Sequence, residues 1–133
     1  MSHFTTIQTQ IRDIDALRDA CSELGLELLP NTEARGFGGR TRHGEHVIRL
    51  KGPYDIALNR EEGGDGKDKA KKTYGLTTDW WDGHVEREVG PKYGRLLQLY
   101  GVHKTMREAR RQRYRVTRKL EQDGSIALSL HRM

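Results

Sequence analysis

The chain has 133 residues, of which 34% are hydrophobic and 32% charged, and its formal net charge is +5. This length fits one domain with a small core, and because no run of about twenty apolar residues occurs, the composition excludes a transmembrane helix. The single Cys21 excludes an internal disulfide and a thiolate metal cluster, and the first residues lack the basic flank and apolar run of a secretory signal. We therefore expect a cytoplasmic protein. The net positive charge mildly favours acidic partners.

The start of the chain predicts a strand followed by a helix. Residues 4–11 alternate between two sets that are rich in Thr and Ile, which is typical of a strand. Asp13 is placed to cap a helix, whose apolar positions recur at helical spacing: Ile14, Leu17, Cys21 and Leu24. Gly25 is placed to end this helix in a left-handed conformation, with Leu26 folding back on the last turn.

The middle of the chain predicts antiparallel strands. A strand is predicted at 32–37, a polar loop at 40–45, and a hairpin at 46–58 that turns at Gly52-Pro53. The segment at about 59–72 contains five basic and four acidic side chains and no large apolar group. Because nothing there offsets the entropy cost of ordering the backbone, we predict a mobile charged loop.

The next predicted strand, at 73–81, ends in Asp79-Trp80-Trp81-Asp82. The alternation of a strand places Trp80 and Trp81 on opposite faces, with one in the core. The other is either an exposed stacking platform or partner anchor, or an ordinary, partly covered surface residue. A helical region follows near residues 91–111, with Pro91 at a first helical position and Gly101 separating two helices.

Residues 113–133 predict a β-hairpin around which we expect the core to form. A three-residue loop, Gln122-Asp123-Gly124, pairs Leu120 with Ile126 and Val116 with Leu130, with Gly124 at positive φ. This register puts the apolar residues of both arms on one buried face. The predicted fold class is therefore α+β: one domain over residues 1–133, mainly an antiparallel sheet packed by the N-terminal helix and the helical region at 91–111.

Several segments together resemble one known family. They are Met1-Ser2-His3-Phe4-Thr5-Thr6-Ile7, Leu24-Gly25, Arg35-Gly36, Tyr54-Asp55-Ile56, Asp79-Trp80-Trp81 and Asp123-Gly124-Ser125-Ile126. On these residues the chain resembles the hypothetical chloroplast reading frame 35 family, a domain of unknown function from plastids, cyanobacteria and other bacteria. It departs from that family in the charged loop Glu61 to Lys72, which looks inserted, and in Gln112-Arg113-Tyr114, where a glycine-aromatic pair is more usual. The resemblance implies no reaction; it implies a helper role beside a AAA-type ATPase and a ferredoxin-like protein.

The densest basic segment runs from Lys104 to Lys119 and contains eight basic residues but one acid, Glu108. Arginine is suited to bidentate contacts with phosphate or carboxylate groups. We predict that a helix face and the first hairpin arm form one basic patch for an acidic partner or nucleic acid, made of Lys104, Arg107, Arg110, Arg111, Arg113 and Arg115. The alternative is a solvated outer face balanced by acids elsewhere in the fold, such as Glu86 and Glu88.

No metal, cofactor or catalytic residue is predicted. His43 and His46 lack a third ligand nearby, and Gly36-Phe37-Gly38-Gly39 lacks the lysine of a phosphate-binding loop. We therefore predict a non-catalytic accessory or adaptor module that binds another protein, with an ATPase-containing assembly as the candidate partner and no membrane association. The alternatives are a nucleic-acid-binding protein that uses the arginine-rich surface at 104–119, and a small enzyme of unknown reaction.

Overall fold

A computed structural model describes residues 3–60 and 73–132 and confirms the α+β class. Five antiparallel strands form one sheet: β1 (Phe4–Gln8), β2 (Glu27–Arg35), β3 (Thr41–Arg49), β4 (Ile56–Arg60) and β5 (Tyr74–Asp79). The helices are α1 (Ile14–Glu23), α2 (Glu86–Val89) and α3 (Gly94–Arg111), and a separate hairpin contains β6 (Tyr114–Leu120) and β7 (Ile126–Arg132). The sheet order is β1-β5-β4-β3-β2, so β1 lies at one edge of the sheet and pairs with β5.

Two parts of the sequence prediction for this sheet need correction. Residues 40–45, predicted as a polar loop, are mostly the first half of β3, which pairs with β2 from Arg35↔Thr41 to Glu27↔Arg49. Pairing with β2 overrides the polar composition, since the charged side chains can point to solvent. The predicted mobile loop at about 59–72 begins too early, because Asn59 and Arg60 are the last residues of β4. The rest of that loop lies outside the described residues.

The ends of α1 match the prediction. The Asp13 carboxylate accepts a hydrogen bond from the Ala16 amide at 3.1 Å. At the other end, Gly25 has a φ of 74° and donates to Ser22, while Leu26 donates to Cys21 at 2.8 Å and is buried. These paired bonds satisfy the last carbonyl groups of the helix and turn the chain into β2.

The main core lies between one face of the sheet and the helices. Its sheet side is built from alternate residues of the central strands, including Ile48, Ile56, Leu58, Tyr74 and Leu76. Its helical side is built from Leu17 and Cys21 of α1 and from Leu96, Leu99 and Tyr100 of α3. The Tyr100 hydroxyl also accepts hydrogen bonds from the amides of Arg12 and Asp13, which fixes the start of α1 against α3.

The opposite face of the sheet is covered by the far half of the β2–β3 hairpin. Asn31 has a φ of 43°, and past this residue the hairpin bends back over the sheet. Ala34 then packs against Val47 and Ala57 in a small buried cluster. This bend brings the turn between β2 and β3 to the end of β5, where the candidate interface lies.

The helical region differs from the prediction in two places. Pro91 belongs to a short 3-10 turn before α3, and α3 continues through Gly101 as one helix. A glycine inside a helix costs about 1 kcal/mol. Leu99, Tyr100 and Val102 beside it are buried, and the burial of these larger side chains outweighs that cost.

The register predicted for the terminal hairpin is confirmed, but its burial is wrong. Leu120 pairs with Ile126 and Val116 with Leu130, and Gly124 has a φ of 90°. However, Leu120 is 72% exposed and Leu130 is 48% exposed. The hairpin is an isolated two-stranded ribbon that packs only part of one face on α3, so the core forms around the five-stranded sheet instead.

The junction between α3 and β6 contains a residue in a strained conformation. Arg113 has a φ of 64°, and its amide donates to the Arg110 carbonyl at 3.0 Å. This left-handed conformation directly after a helix is the one that glycine favours. A glycine at this position would therefore relieve strain.

We expect Arg113→Gly to raise the free energy of unfolding by about 0.5–1 kcal/mol, because the left-handed conformation costs nothing sterically without a Cβ atom. Arg115→Gly is the matched control, since Arg115 lies in extended strand β6, and this change should lower stability by about 0.5–1 kcal/mol. Urea unfolding of both variants measures the difference. A destabilised Arg113→Gly variant would show that the arginine side chain contributes more than its backbone strain costs.

Candidate protein interface

An exposed aromatic pair lies at one end of the sheet. The Phe37 and Trp81 rings meet edge to face, with centroids 5.7 Å apart. Their exposed fractions are 43% and 45%, although both are large apolar side chains. Phe37 comes from the turn between β2 and β3, and Trp81 follows β5.

A buried carboxylate holds both aromatic residues in place. Asp79, the last residue of β5, is 1% exposed. One of its oxygens accepts from the Phe37 amide at 3.2 Å, and the other accepts from the Trp81 amide at 2.9 Å. The two turns that present the rings are therefore joined through one side chain.

Close packing at Gly36 seats the Phe37 turn. A Cβ atom at Gly36 would lie 2.5 Å from the Phe4 ring, which no real contact allows. The Gly36 amide also donates to the Arg40 carbonyl at 2.8 Å, closing the turn. The absence of a side chain at Gly36 thus lets the Phe4 ring of β1 pack against the backbone next to Phe37.

A second buried carboxylate fixes the fold-over of the β2–β3 hairpin. Asp55 is fully buried and accepts hydrogen bonds from the backbone and guanidinium of Arg35, from Arg49, and from the Leu50 amide, at 2.8–3.2 Å. Burial alone would raise the pKa of the Asp55 carboxyl, but the hydrogen bonds and charge of Arg35 leave this pKa below its ordinary value. The ionised carboxylate therefore ties β2 to the start of β4.

Trp80 and Trp81 divide between core and surface, but not through the strand alternation that was predicted, because β5 ends at Asp79 and both tryptophans lie in the turn that follows. Trp80 is partly buried against the main core, and its ring meets that of Tyr93 at a centroid distance of 4.7 Å. Trp81 is the exposed one. The structure thus leaves Trp81 as the candidate anchor and adds Phe37, which the sequence prediction missed because Phe37 is distant in sequence.

The predicted basic residues do not form one patch, because some of them are engaged in ion pairs within the fold. Arg107 makes a bidentate ion pair with Asp19 of α1, and Arg118 makes another with Glu23. The hydrogen bonds from Arg118 are the main reason why the pKa of Glu23 falls to about 2. These two arginines hold the ribbon and α3 on α1, so Arg107 is already occupied.

The other predicted basic residues lie on the surface. Arg111 pairs with Glu108 at 3.3 Å within α3. Four predicted residues are exposed and form no ion pair within residues 3–60 and 73–132: Lys104, Arg110, Arg113 and Arg115. The acids that reach the basic segment from elsewhere in the fold are Asp19 and Glu23. Glu88 instead accepts from the amides of Lys51 and Gly52.

The remaining candidate groups do not converge. His43 contacts Glu33 at 3.0 Å, while His46 packs edge-on against Tyr74. Burial raises the pKa of the Cys21 thiol to about 12, so this cysteine is an unreactive core residue. Within the described ranges, no three His, Cys, Asp or Glu side chains are grouped to hold a metal ion, and no helix is long and apolar enough to cross a membrane.

Comparison with models of known protein families gives a match. A family model described as Protein of unknown function (DUF1257) matches residues 20–129, which is most of the chain. The chain belongs to this family. No significant match occurs among curated proteins or among solved structures. In this DUF1257 protein the matched region contains Phe37, Asp55, Asp79 and Trp81, whereas β1 lies before it.

The two buried carboxylates that support the interface could have been found from the sequence. Asp55 and Asp79 are acids set among apolar residues of predicted strands, and buried acids are rare unless they are paired. Arg35 and Arg49 were equally visible as basic residues within predicted strand segments. Their pairing with Asp55 could not be predicted from the sequence, because it depends on the bend of the β2–β3 hairpin.

The Asp55 carboxylate predicts a pH-dependent stability. Its folded-state pKa lies below the ordinary 3.8, so its contribution is present above that pH and is lost as pH falls through the lower folded pKa. Asp55→Asn removes this titration and should also cost about 3–5 kcal/mol at neutral pH, because it leaves Arg35 and Arg49 without their charge partner.

The measurement is urea unfolding of wild type and Asp55→Asn from neutral pH down to about pH 2. Between about pH 4 and 2, the free energy of unfolding should fall less steeply in the variant. Asp15→Asn, at an exposed position of α1, should retain the wild-type slope. Equal slopes for wild type and Asp55→Asn would show that Asp55 is not the titrating group.

Proposed function

We propose that this DUF1257 protein is a non-catalytic accessory module that binds another protein through the Phe37–Trp81 pair. The supporting observation is that both rings are nearly half exposed while their backbones are fixed by the buried Asp79 carboxylate. Tryptophan and phenylalanine are enriched at the centres of protein interfaces. Two adjacent exposed rings on a rigid base are suited to a partner's apolar pocket.

The rigid mounting lowers the cost of binding. Each side chain that is immobilised on association costs about 0.5–1.5 kcal/mol. Contact between the two rings already restricts both of them, and their turns are closed by backbone hydrogen bonds. The pair thus offers apolar area with little remaining entropy to lose.

The family that the chain resembles in its sequence motifs suggests a candidate partner. We propose that the chain is a member of the hypothetical chloroplast reading frame 35 family, on the motifs at its two ends and at Asp79-Trp80-Trp81. A AAA-type ATPase-containing assembly is then the partner to test first. The cytoplasm is the compartment in which we expect this association.

The test is affinity purification from a lysate of the source cells at moderate salt, with quantitative mass spectrometry of what is recovered. A partner of the aromatic pair should be depleted about tenfold by Trp81→Ala, and retained by Leu130→Ala, which truncates a similarly exposed apolar residue on the ribbon. Unfolding midpoints close to wild type establish that both variants are folded. The proposal fails if no protein is lost specifically with Trp81→Ala.

A second candidate function is nucleic-acid binding, and the exposed basic residues without ion pairs favour it. Arg110, Arg113 and Arg115 are exposed where α3 passes into β6. If they contact phosphate groups, affinity for RNA or DNA should fall steeply with salt, and reversing all three charges should abolish binding. Arg107→Glu is unsuitable because it would also break the ion pair with Asp19.

Fluorescence anisotropy with labelled single- and double-stranded oligonucleotides measures this binding. The control reverses Arg12, Lys51 and Arg87, three exposed residues outside the α3–β6 junction, and conserves the change in net charge. Equal loss of affinity in both triple variants would show that only net charge matters. Binding that neither variant alters would remove the basic surface from consideration.

A further inference from the structure

The two edges of the central sheet are built differently. β2, at one edge, contains Glu27, Glu33 and Pro30, and Asn31 interrupts it with a φ of 43°. Charges, prolines and irregular backbone at an edge prevent another strand from pairing with it. The β2 edge is therefore protected.

The β1 edge has none of these protections. Its sequence, Phe4-Thr5-Thr6-Ile7-Gln8, has no charge and no proline, and every residue is paired regularly with β5 from Phe4↔Asp79 to Gln8↔Gly75. Thr5, Thr6, Ile7 and Gln8 are all exposed. In the described part of the chain, β1 has one strand neighbour, β5, so its other side presents free backbone donors and acceptors.

Ile7 lies at the edge of the core and is only partly covered by other residues. It pairs with Leu76, which is fully buried, yet Ile7 itself is 40% exposed. Ile7 and Leu76 are directly opposite on adjacent strands, so both side chains point to the helix side of the sheet. A further strand beside β1 would bring an apolar side chain over Ile7.

The β1 edge also leads to the aromatic pair. Phe4, at its start, pairs with Asp79, the residue that binds the amides of Phe37 and Trp81. The Phe4 ring lies against Gly36, next to Phe37. The unprotected edge and the exposed rings thus form one continuous surface.

We infer that β1 is a docking edge for an extended segment of the partner protein, which adds to the sheet as a sixth strand and ends with an apolar residue on Phe37 and Trp81. This inference rests on the proposed protein-binding function and specifies its geometry. Main-chain hydrogen bonds to β1 would supply affinity, and the contacts at Ile7 and at the aromatic pair would supply specificity.

The size of the edge favours an extended segment over a second copy of this chain. Five residues of strand span about 17 Å, whereas a stable interface between two folded proteins buries about 1,200–2,000 Å². One short edge is small for that area, but it is sufficient for a single strand. The fitting segment is uncharged where it faces β1, with an apolar residue opposite Ile7 and an aromatic or aliphatic residue at the Phe4 end.

The probe is a displayed library of random peptides of about ten residues, selected on the full-length protein and then measured as labelled synthetic peptides by fluorescence polarisation. Strand addition makes a distinctive prediction, because alternate residues of a strand direct their amides toward the neighbouring strand. Methylating those amide nitrogens should weaken binding about tenfold or more per site, while methylating the intervening ones should change it little. Amide exchange at residues 5–8 should slow when the peptide is bound.

Two variants connect the peptide to this surface. Ile7→Lys places a charge on the edge and should weaken binding about tenfold, whereas Leu130→Lys, at a similarly exposed apolar position on the ribbon, should not. Unfolding midpoints near wild type confirm that the variants are folded. Trp81→Ala should weaken the same peptides.

The outcomes separate this inference from the proposed function. Peptides that depend on Trp81 but not on Ile7, and show no alternating methylation pattern, would leave the protein-binding function standing and overturn strand addition. Peptides independent of both residues, or a library without binders, would count against the docking edge, while the lysate experiment tests the function separately. A dimer that Ile7→Lys converts to monomer would overturn it in favour of a second copy.

Discussion

The buried carboxylate of Asp55 is the interaction on which the shape of the candidate interface depends. It accepts five hydrogen bonds from Arg35, Arg49 and Leu50, so both strands of the β2–β3 hairpin are fixed to the segment that enters β4. A buried ion is tolerated only when its acceptor positions are filled and its charge is matched. Here both conditions are met by residues that also hold the hairpin in the bent conformation that begins at Asn31. Without that bend, Phe37 would not reach Trp81.

Four arginines of this protein stabilise its architecture. Arg35 and Arg49 compensate a buried acid, while Arg107 and Arg118 connect α3 and the ribbon to acids of α1. The ion pairs on α1 are partly exposed and individually weak, but they lie where the ribbon has little apolar contact. The number of basic residues therefore overstates the cationic surface open to a partner, and the aromatic pair is the better-supported contact.

Features governed by neighbours in sequence could be predicted, and features governed by distant residues could not. The Asp13 cap, the Gly25 terminus and the hairpin register depend on a few adjacent residues, and all three are confirmed. The exposure of Leu120 was mispredicted because alternation identifies a common face but not what covers it. The continuity of α3 through Gly101 depends on packing against α1, and Arg107 meets Asp19 across 88 positions. The exposed tryptophan could be expected from the sequence, but its partner Phe37 could not.

The sheet order has a consequence for how the chain folds during synthesis. β2, β3 and β4 are consecutive neighbours and can assemble as soon as they emerge. Among the described strands, β1 instead pairs with β5, about seventy positions later. At ordinary translation rates of about 5–20 residues per second, the N-terminal strand spends several seconds without its partner. During that interval both of its edges are open, and it is uncharged and rich in β-forming residues. The nascent chain is thus most exposed to mispairing at its first strand, and a factor that holds this strand during translation would act at the same residues that remain accessible in the finished fold.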